Sequence, residues 1–452
     1  MNTYERLEVL LDAGTFRDAS SSPETLFVTG EGEIDGRPVY VIAGRAEGIY
    51  AEKVLIANLS EETAFFRQAA TAKQPLVFIH DNPTGPLGKT TPILRNQSRL
   101  LLERNALGAS YCNYARLTGA MPTVSVVLGR ISSSQTFHTV MSDITVMAKQ
   151  AGLCMGRPDM VKEVLGEDTF FEELAGPVNH SEISGIVGKV CDTEQECLLW
   201  ARQYLSYFPP SPEQPPPVCE PREPGASDAE SLLGVDAGMG LDIKRLIDTI
   251  VDRYSFLELY EAHAPEVVVG LSRIGGRSVG VVANNSRIKG GVLFAATCKK
   301  IAKFVALCDN YRLPLLFLAD VPGFMIGSDA EKSGIIGGGA ELYKTIAKST
   351  VAKISIVIRK AYTGGIFAMA GGGFDPAGFF ALPGAAIGIF SRETIERLAG
   401  SRQCSEEERR IIEDLRQEIA NPQLLVDQGL LDGVISPSAI RSTVIASLFG
   451  RS

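Results

Sequence analysis

The residues of this chain that could do chemistry are glycines at the ends of apolar runs. Gly290-Gly291, Asp320-Val-Pro-Gly-Phe324, Gly334 to Gly339, Arg359-Lys-Ala-Tyr-Thr-Gly-Gly365 and Ala370-Gly-Gly-Gly-Phe-Asp-Pro376 all lie within 290–390. Two of these turns follow runs rich in β-formers, Pro314–Leu318 and Ile354–Ile358, and helix-compatible sequence comes next. A strand that stops at glycine and hands over to a helix leaves backbone N–H groups without internal acceptors. Such groups can stabilise an oxygen on which negative charge develops. Ser132-Ser-Ser134 with His138 suggests a different chemistry, because Ser134 and His138 could share one helix face. The Gly-x-Ser-x-Gly elbow of a serine hydrolase is absent and no third partner is evident. Gly337-Gly-Gly339 opens a helical run and could either bind an anion or loosen a crossover, and Lys299, Lys300 and Lys303 read as a solvated helix face.

The elements that must position these turns can be followed along the chain. A short amphipathic helix over 3–12 precedes a hairpin with an Asp35-Gly36 turn and Val39–Ala43 as its second strand. Helical sequence over 51–73 leads to the strand Pro75–His80, helical sequence over 93–118 leads to the strand Val124–Leu128, and helices over 158–165 and 192–207 follow. The segment 209–225 is Pro-rich and reads as a linker. It divides the chain into 1–208 and 226–452. The second part repeats the first: Ile34–Ala43 matches Ile274–Ala283, Pro75–Asp81 matches Pro314–Asp320, and Val124–Leu128 matches Ile354–Ile358. The order and near-constant spacing predict two copies of one layered α/β fold.

The bulk properties set outer limits. The chain has 452 residues, with 53 acidic and 44 basic side chains and a net charge of −9. That balance argues against nucleic acid or an anionic membrane surface as a partner. The eight cysteines show no CxxC and no zinc-like spacing, so reduced thiols and no metal are expected. The N-terminal residues lack an apolar signal core and no run reaches membrane-spanning length, which gives a cytoplasmic expectation.

Val279-Gly-Val-Val-Ala-Asn-Asn285, Gly290-Gly-Val-Leu293, Lys300–Val305, Leu313-Pro-Leu315, Asp320–Phe324 and Arg359-Lys-Ala-Tyr362, with Gly36-Arg-Pro-Val-Tyr40, Gly156–Val161, Phe171–Leu174, His180 and Leu205–Pro209, resemble the carboxyltransferase (β) subunits of biotin-dependent acyl-CoA carboxylases. The resemblance implies two tandem crotonase-like (ClpP/crotonase) ββα spiral domains. It implies an acyl-CoA side in 1–208, a biotin side in 226–452, and a homo-oligomer, often a hexamer. It also implies that a carboxyl group passes between biotin and the α-carbon of an acyl-CoA, with one pair of N–H donors for each developing oxyanion. Gly365 and Ile366 fall where the family places the biotin-side pair, with Gly364, Asp320, Gly323 and Phe324 around them. Ser134 and Gln135 fall at the acyl side, with Asp81, Ser133 and His138 nearby as substrate-contacting candidates. The acyl side departs from the family pattern: Gly129-Arg-Ile-Ser-Ser-Ser-Gln135 lacks the usual glycines, Asp81-Asn-Pro-Thr-Gly-Pro86 keeps only its aspartate, and Ala46-Glu-Gly48 stands where a longer element is usual. The chain shows neither a biotin-acceptor Met-Lys-Met nor an ATP-grasp sequence. Biotin is therefore expected on a separate carrier, delivered with a biotin carboxylase. An acyl-CoA decarboxylase, a biotin-independent relative and a non-catalytic β-like subunit remain open alternatives.

Overall fold

The computed structural model describes residues 1–21, 25–45, 52–81, 98–132, 134–211, 213–233, 239–391, 394–397 and 405–450. The chain forms two compact units, Met1–Pro217 and Val218–Ser452. In the first, a seven-stranded sheet has the order β1 (Arg17–Asp18), β2 (Phe27–Ile34), β3 (Arg37–Gly44), β4 (Leu76–His80), β5 (Thr123–Val127), β7 (Ile144–Ala148) and β9 (Lys189–Cys191). A two-stranded sheet pairs β6 (Arg130–Ser132) with β8 (Gly152–Cys154). The second unit repeats the plan with β10 (Leu257–Leu259), β11 (Val267–Ile274), β12 (Arg277–Asn284), β13 (Leu315–Val321), β14 (Lys353–Tyr362), β15 (Gly378–Ala381) and β17 (Gly433–Val434), and β16 (Ala386–Gly388) pairs with β14 beyond them.

Both sheets start with antiparallel pairing and turn parallel at the same point. β3 pairs parallel with β4 from Tyr40 opposite Leu76, and β12 pairs parallel with β13 from Gly280 opposite Leu315. The inner parallel strands are apolar runs because helices cover both faces. Every residue of β4, β5 and β13 is buried. The hairpin turn also repeats, with Asp35 and Gly36 at φ 53° and 70° and Gly275 and Gly276 at 61° and 77°. Two consecutive left-handed residues match the twist of the flanking strands, which is why glycine and aspartate occupy these positions.

The duplication reaches the side chains that lock this turn. Asp12 accepts the Gly36 N–H and an Arg202 N–H, both at 2.8 Å, and Arg202 also donates to the Leu10 carbonyl. In the second unit Asp252 accepts the Gly275 and Gly276 N–H groups and Arg441, and Arg441 also donates to the Ile250 carbonyl. Each aspartate is 240 positions from its counterpart, as are Leu10 and Ile250.

Two expectations change on the second unit. Gly337 to Gly339 lie inside the helix Ile335–Lys348 rather than at its start. A Cβ at Gly338 would sit 3.2 Å from the Ala295 carbonyl, and one at Gly339 would sit 3.1 Å from Phe324, so these glycines let the helix approach its neighbours. Lys300 is not on a solvated face. It is 4 % exposed, and its Nζ donates to the carbonyls of Tyr260, His263, Ala264 and Val267 at 2.7–3.3 Å. The Pro-rich segment is also engaged at its far end, where Val218 bridges Arg277 and the Cys219 and Gly225 N–H groups bond to Gly276 and Asp248.

Candidate active site

In the second unit the ends of β13 and β14 come together. After β13 the chain turns through Pro322 and Gly323, whose φ of 122° suits only glycine, and Phe324 then bridges to Leu293. After β14, Thr363 takes a φ of 52° and Gly364 leads into the short helix Gly365–Ala368. The packing leaves no room for side chains at this corner. A Cβ at Gly365 would lie 2.9 Å from Val321 and 3.1 Å from the Gly323 Cα, and one at Gly364 would lie 2.5 Å from the Tyr343 hydroxyl.

Hydrogen bonding singles out two donors at this turn. The Thr363 N–H bonds to Gly388 O at 3.0 Å, and the Ile366 N–H turns back to Thr363 O at 3.4 Å. Among the described residues the Gly364 and Gly365 N–H groups have no acceptor. The left-handed residue followed by right-handed ones is the geometry of an anion-binding nest. The Gly364 carbonyl is held by the Tyr343 hydroxyl at 2.7 Å. Tyr343 in turn packs against Phe324, Phe367 and Phe374, with ring centroids 5.6–6.3 Å apart. Burial pushes the Tyr343 phenol up to about 12, so it remains a neutral donor.

Asp320, at the end of β13, is fully buried and tied down. Its carboxylate takes Arg359 Nη2 at 2.7 Å and Nε at 3.2 Å, and its N–H bonds to Asn284 at 3.2 Å. Arg359 also reaches the Met239 carbonyl and Ser286. Asp320 therefore fixes the strand end, and its second carboxylate oxygen has no partner among the described residues.

The first unit holds its equivalent strand ends differently. Asp81 follows β4 and is bound by Arg6, which also makes two 2.9 Å bonds to Glu194. Arg6 sits in the helix Thr3–Leu10, whose Asn2–Glu5 capping box sets its start. A Cβ at Gly129 would lie 2.3 Å from the Asp81 carboxylate, so β4 and β5 close tightly there. Ser134 and Gln135 open the helix Ser134–Met141, where first-turn N–H groups lack helical acceptors. Ser133 lies outside the described residues, as do 46–48 and 82–86.

His138 does not line a ligand site. It is 1 % exposed, its Nε2 meets Ser110 Oγ at 2.8 Å, and Ser110 reaches Glu62 at 3.1 Å. Tyr111, Tyr114, Phe66 and Phe78 surround the ring. Burial lowers the imidazole to about 3 and raises the Glu62 carboxyl to about 8. The helix face that carries His138 points into the core. His80 is equally buried and meets Ser125, while His180 meets the Leu153 carbonyl.

The pattern of the carboxyl transferase domain matches residues 3–449. The chain belongs to the carboxyl transferase family. Its relatives include an uncharacterized carboxylase of Bacillus subtilis, 32 % identical over 98 % of this chain and 89 % of that protein. The carboxyltransferase subunit of propionyl-CoA carboxylase from Haloferax mediterranei is 29 % identical over 99 % of this chain and 90 % of its own length. Among solved structures, transcarboxylase 12S with methylmalonyl-coenzyme A and methylmalonic acid bound superposes with a TM-score of 0.88 at 26 % identity, over 99 % of this chain and 88 % of that one. The fold of this carboxyl transferase is therefore crotonase-like, and it is an enzyme of carboxyl-group transfer.

Several residues that shape this carboxyl transferase's candidate site carry no local signal. Tyr343 looks like an ordinary apolar-face residue of its helix, and only its hydroxyl on Gly364 gives it a role at the turn. Arg6 lies 75 positions from Asp81. Arg359 stands inside the Arg359–Tyr362 motif, four residues before the turn, and an arginine ending an apolar strand was the available clue.

Proposed function

We propose that this chain is the carboxyltransferase component that moves a carboxyl group between biotin on a separate carrier protein and the α-carbon of an acyl-CoA. The observation that carries the reading is the pair of uncommitted N–H groups at Gly364 and Gly365, on a turn too tight for a side chain. These donors suit a ureido oxygen, which needs two N–H partners where no internal acceptor competes. The fit shifts the proposed pair by one residue from Gly365 and Ile366, because the Ile366 N–H already faces Thr363. When bound, carboxybiotin supplies the activated carboxyl group. The chain's own contribution is to hold negative charge and exclude water. Preplaced donors in a dry site stabilise such an oxygen by about 3–4 kcal/mol each. Phe324, Tyr343, Phe367 and Phe374 provide the apolar surround.

On the acyl side, the first-turn N–H groups at Ser134 and Gln135 are the donors for the thioester oxygen of the enolate. Asp81 and Asp320 act by fixing strand ends, and Gly323 and Phe324 by closing the corner around Gly365. Assembly as a homo-oligomer follows from the likeness to the 12S protein, whose structure is described as a hexamer.

The test is carboxyl transfer from methylmalonyl-CoA or malonyl-CoA to free biotin, followed by mass spectrometry, with wild type and Gly365→Val side by side. The valine should lower transfer by at least about 100-fold, as loss of one oxyanion donor does, while acyl-CoA still raises the melting temperature. A folded Gly365→Val protein with unchanged turnover would remove the turn from the site. Loss of carboxylate without any need for biotin would point instead to the decarboxylase alternative, and absence of acyl-CoA binding to the non-catalytic one.

A further inference from the structure

In the helix Ile335–Lys348, Gly339 lies one turn before Tyr343. Residues four apart share a helix face, so the pair forms a notch followed by a pillar. Phe324 fills the notch: a Cβ at Gly339 would lie 3.1 Å from its ring, and that ring meets the Tyr343 ring edge-on at 5.8 Å and 85°. Phe374 and Phe367 also neighbour the phenol, at 5.6 and 6.3 Å between centroids. The hydroxyl held in this way donates to the Gly364 carbonyl at 2.7 Å, and a Cβ at Gly364 would lie 2.5 Å from it.

Peptide geometry decides what that bond fixes. The Gly364 carbonyl and the Gly365 N–H belong to one planar trans unit, in which they point in opposite directions. Drawing the oxygen toward Tyr343 therefore aims the Gly365 N–H away from it. A peptide between two glycines is the easiest kind to rotate, because neither residue carries a Cβ. The Ala368 N–H also donates to the Gly364 oxygen, at 3.2 Å. That bond closes the helix Gly365–Ala368, only four residues long, and a single turn of helix does not hold itself. The phenol supplies the shorter bond, from a helix of 14 residues.

We propose that Tyr343 is a positioning residue for carboxyl transfer: its hydroxyl locks the peptide between Gly364 and Gly365 so that the Gly365 N–H faces the ureido oxygen of biotin. The inference rests on the reading of Gly364 and Gly365 as the biotin-side donors. The phenol does not touch the reacting atoms and neither gains nor loses a proton. It keeps one donor preplaced, so the peptide need not reorganise while charge builds on the oxygen. Gly339 serves the same lock by seating Phe324 against the phenol.

The experiment measures transfer from methylmalonyl-CoA or malonyl-CoA to free biotin in Tyr343→Phe, with wild type and Gly365→Val alongside. Phenylalanine keeps the ring and removes only the hydroxyl. The kcat should fall at least about tenfold, less than for loss of a whole donor. KM for the acyl-CoA and the melting temperature should stay at wild-type values. Binding of free biotin, followed by calorimetry without acyl-CoA, should weaken several-fold. Gly339→Ala leaves the hydroxyl in place but displaces Phe324 beside it, and should lower kcat by a smaller factor at unchanged KM. Wild-type kcat in Tyr343→Phe with an impaired Gly365→Val overturns the lock and leaves the donor assignment standing. Wild-type turnover in both variants removes the donor assignment and the lock with it. A melting temperature or acyl-CoA KM that shifts together with kcat also overturns the proposal, since the tyrosine would then only brace the fold.

Discussion

At the scale of single residues, Glu62 is a carboxyl of the first unit whose environment departs far from water. It is 3 % exposed, and it accepts a hydrogen bond from the Ser110 hydroxyl, which also meets His138. A carboxyl without a cation keeps its proton when buried, and here the folded value is about 8 against an ordinary 4.5. The sign of the linkage follows. Below pH 4.5 both folded and unfolded chains carry the proton. Between 4.5 and 8 only the folded chain does, so stability falls as pH rises through that window and levels off above it. The full effect is on the order of 5 kcal/mol. Glu62→Gln, which keeps an acceptor for Ser110, should flatten this dependence. Its melting temperature should match wild type near pH 4.5 and exceed it at pH 8, and parallel curves for the two proteins would show that Glu62 is not the titrating group. None of this is legible locally, because a glutamate on an amphipathic helix normally faces solvent.

At the scale of elements, helices owe their positions to buried polar anchors as much as to apolar stripes. Lys300, in the helix Ala295–Asn310, gathers four carbonyls from the segment Tyr260–Val267, where Tyr260 and Ala264 have φ of 56° and 44°. The segment follows no regular ladder, so its carbonyls need a donor and the ammonium supplies it. Lys300→Met preserves length and removes the charge, leaving those oxygens unsatisfied. It should destabilise the second unit by about 3 kcal/mol, read as a lower midpoint in urea, and an unchanged midpoint would mean that water replaces the lysine without loss. The hairpin strands, the parallel strands β4, β5, β13 and β14 and several first-unit helices were readable because period-2 and period-3.6 patterns and turn glycines are local, whereas short strands such as β9 and β15 carry too few residues for a pattern. What the sequence withheld was which face of a helix meets the core. The spacing of Ser134 and His138 is correct for one face, yet the imidazole is anchored on Ser110 from another helix.

At the scale of the whole molecule, the chain is one floor plan used twice, and the copies can be compared as mutual controls. The clamp on the hairpin turn is less solvated in the second unit: the Arg441 and Asp252 side chains are 18 % and 3 % exposed, against 21 % and 27 % for Arg202 and Asp12. Screening weakens exposed pairs, so Arg202→Ala should cost about 1 kcal/mol and Arg441→Ala about 2 kcal/mol. Hydrogen exchange should place each loss in its own unit, around Gly36 in one case and Gly276 in the other. Equal protection changes in both units after either substitution would refute that separation. The strand-end aspartates show where the copies have parted. Asp320 is moored by Arg359 from the neighbouring strand, whereas Asp81 is moored by Arg6 from the N-terminal helix. The consequence is evolutionary. Drift in Thr3–Leu10 can retune the corner at Asp81 without disturbing the corner at Asp320, so a lineage can remodel one strand end while the other keeps its form.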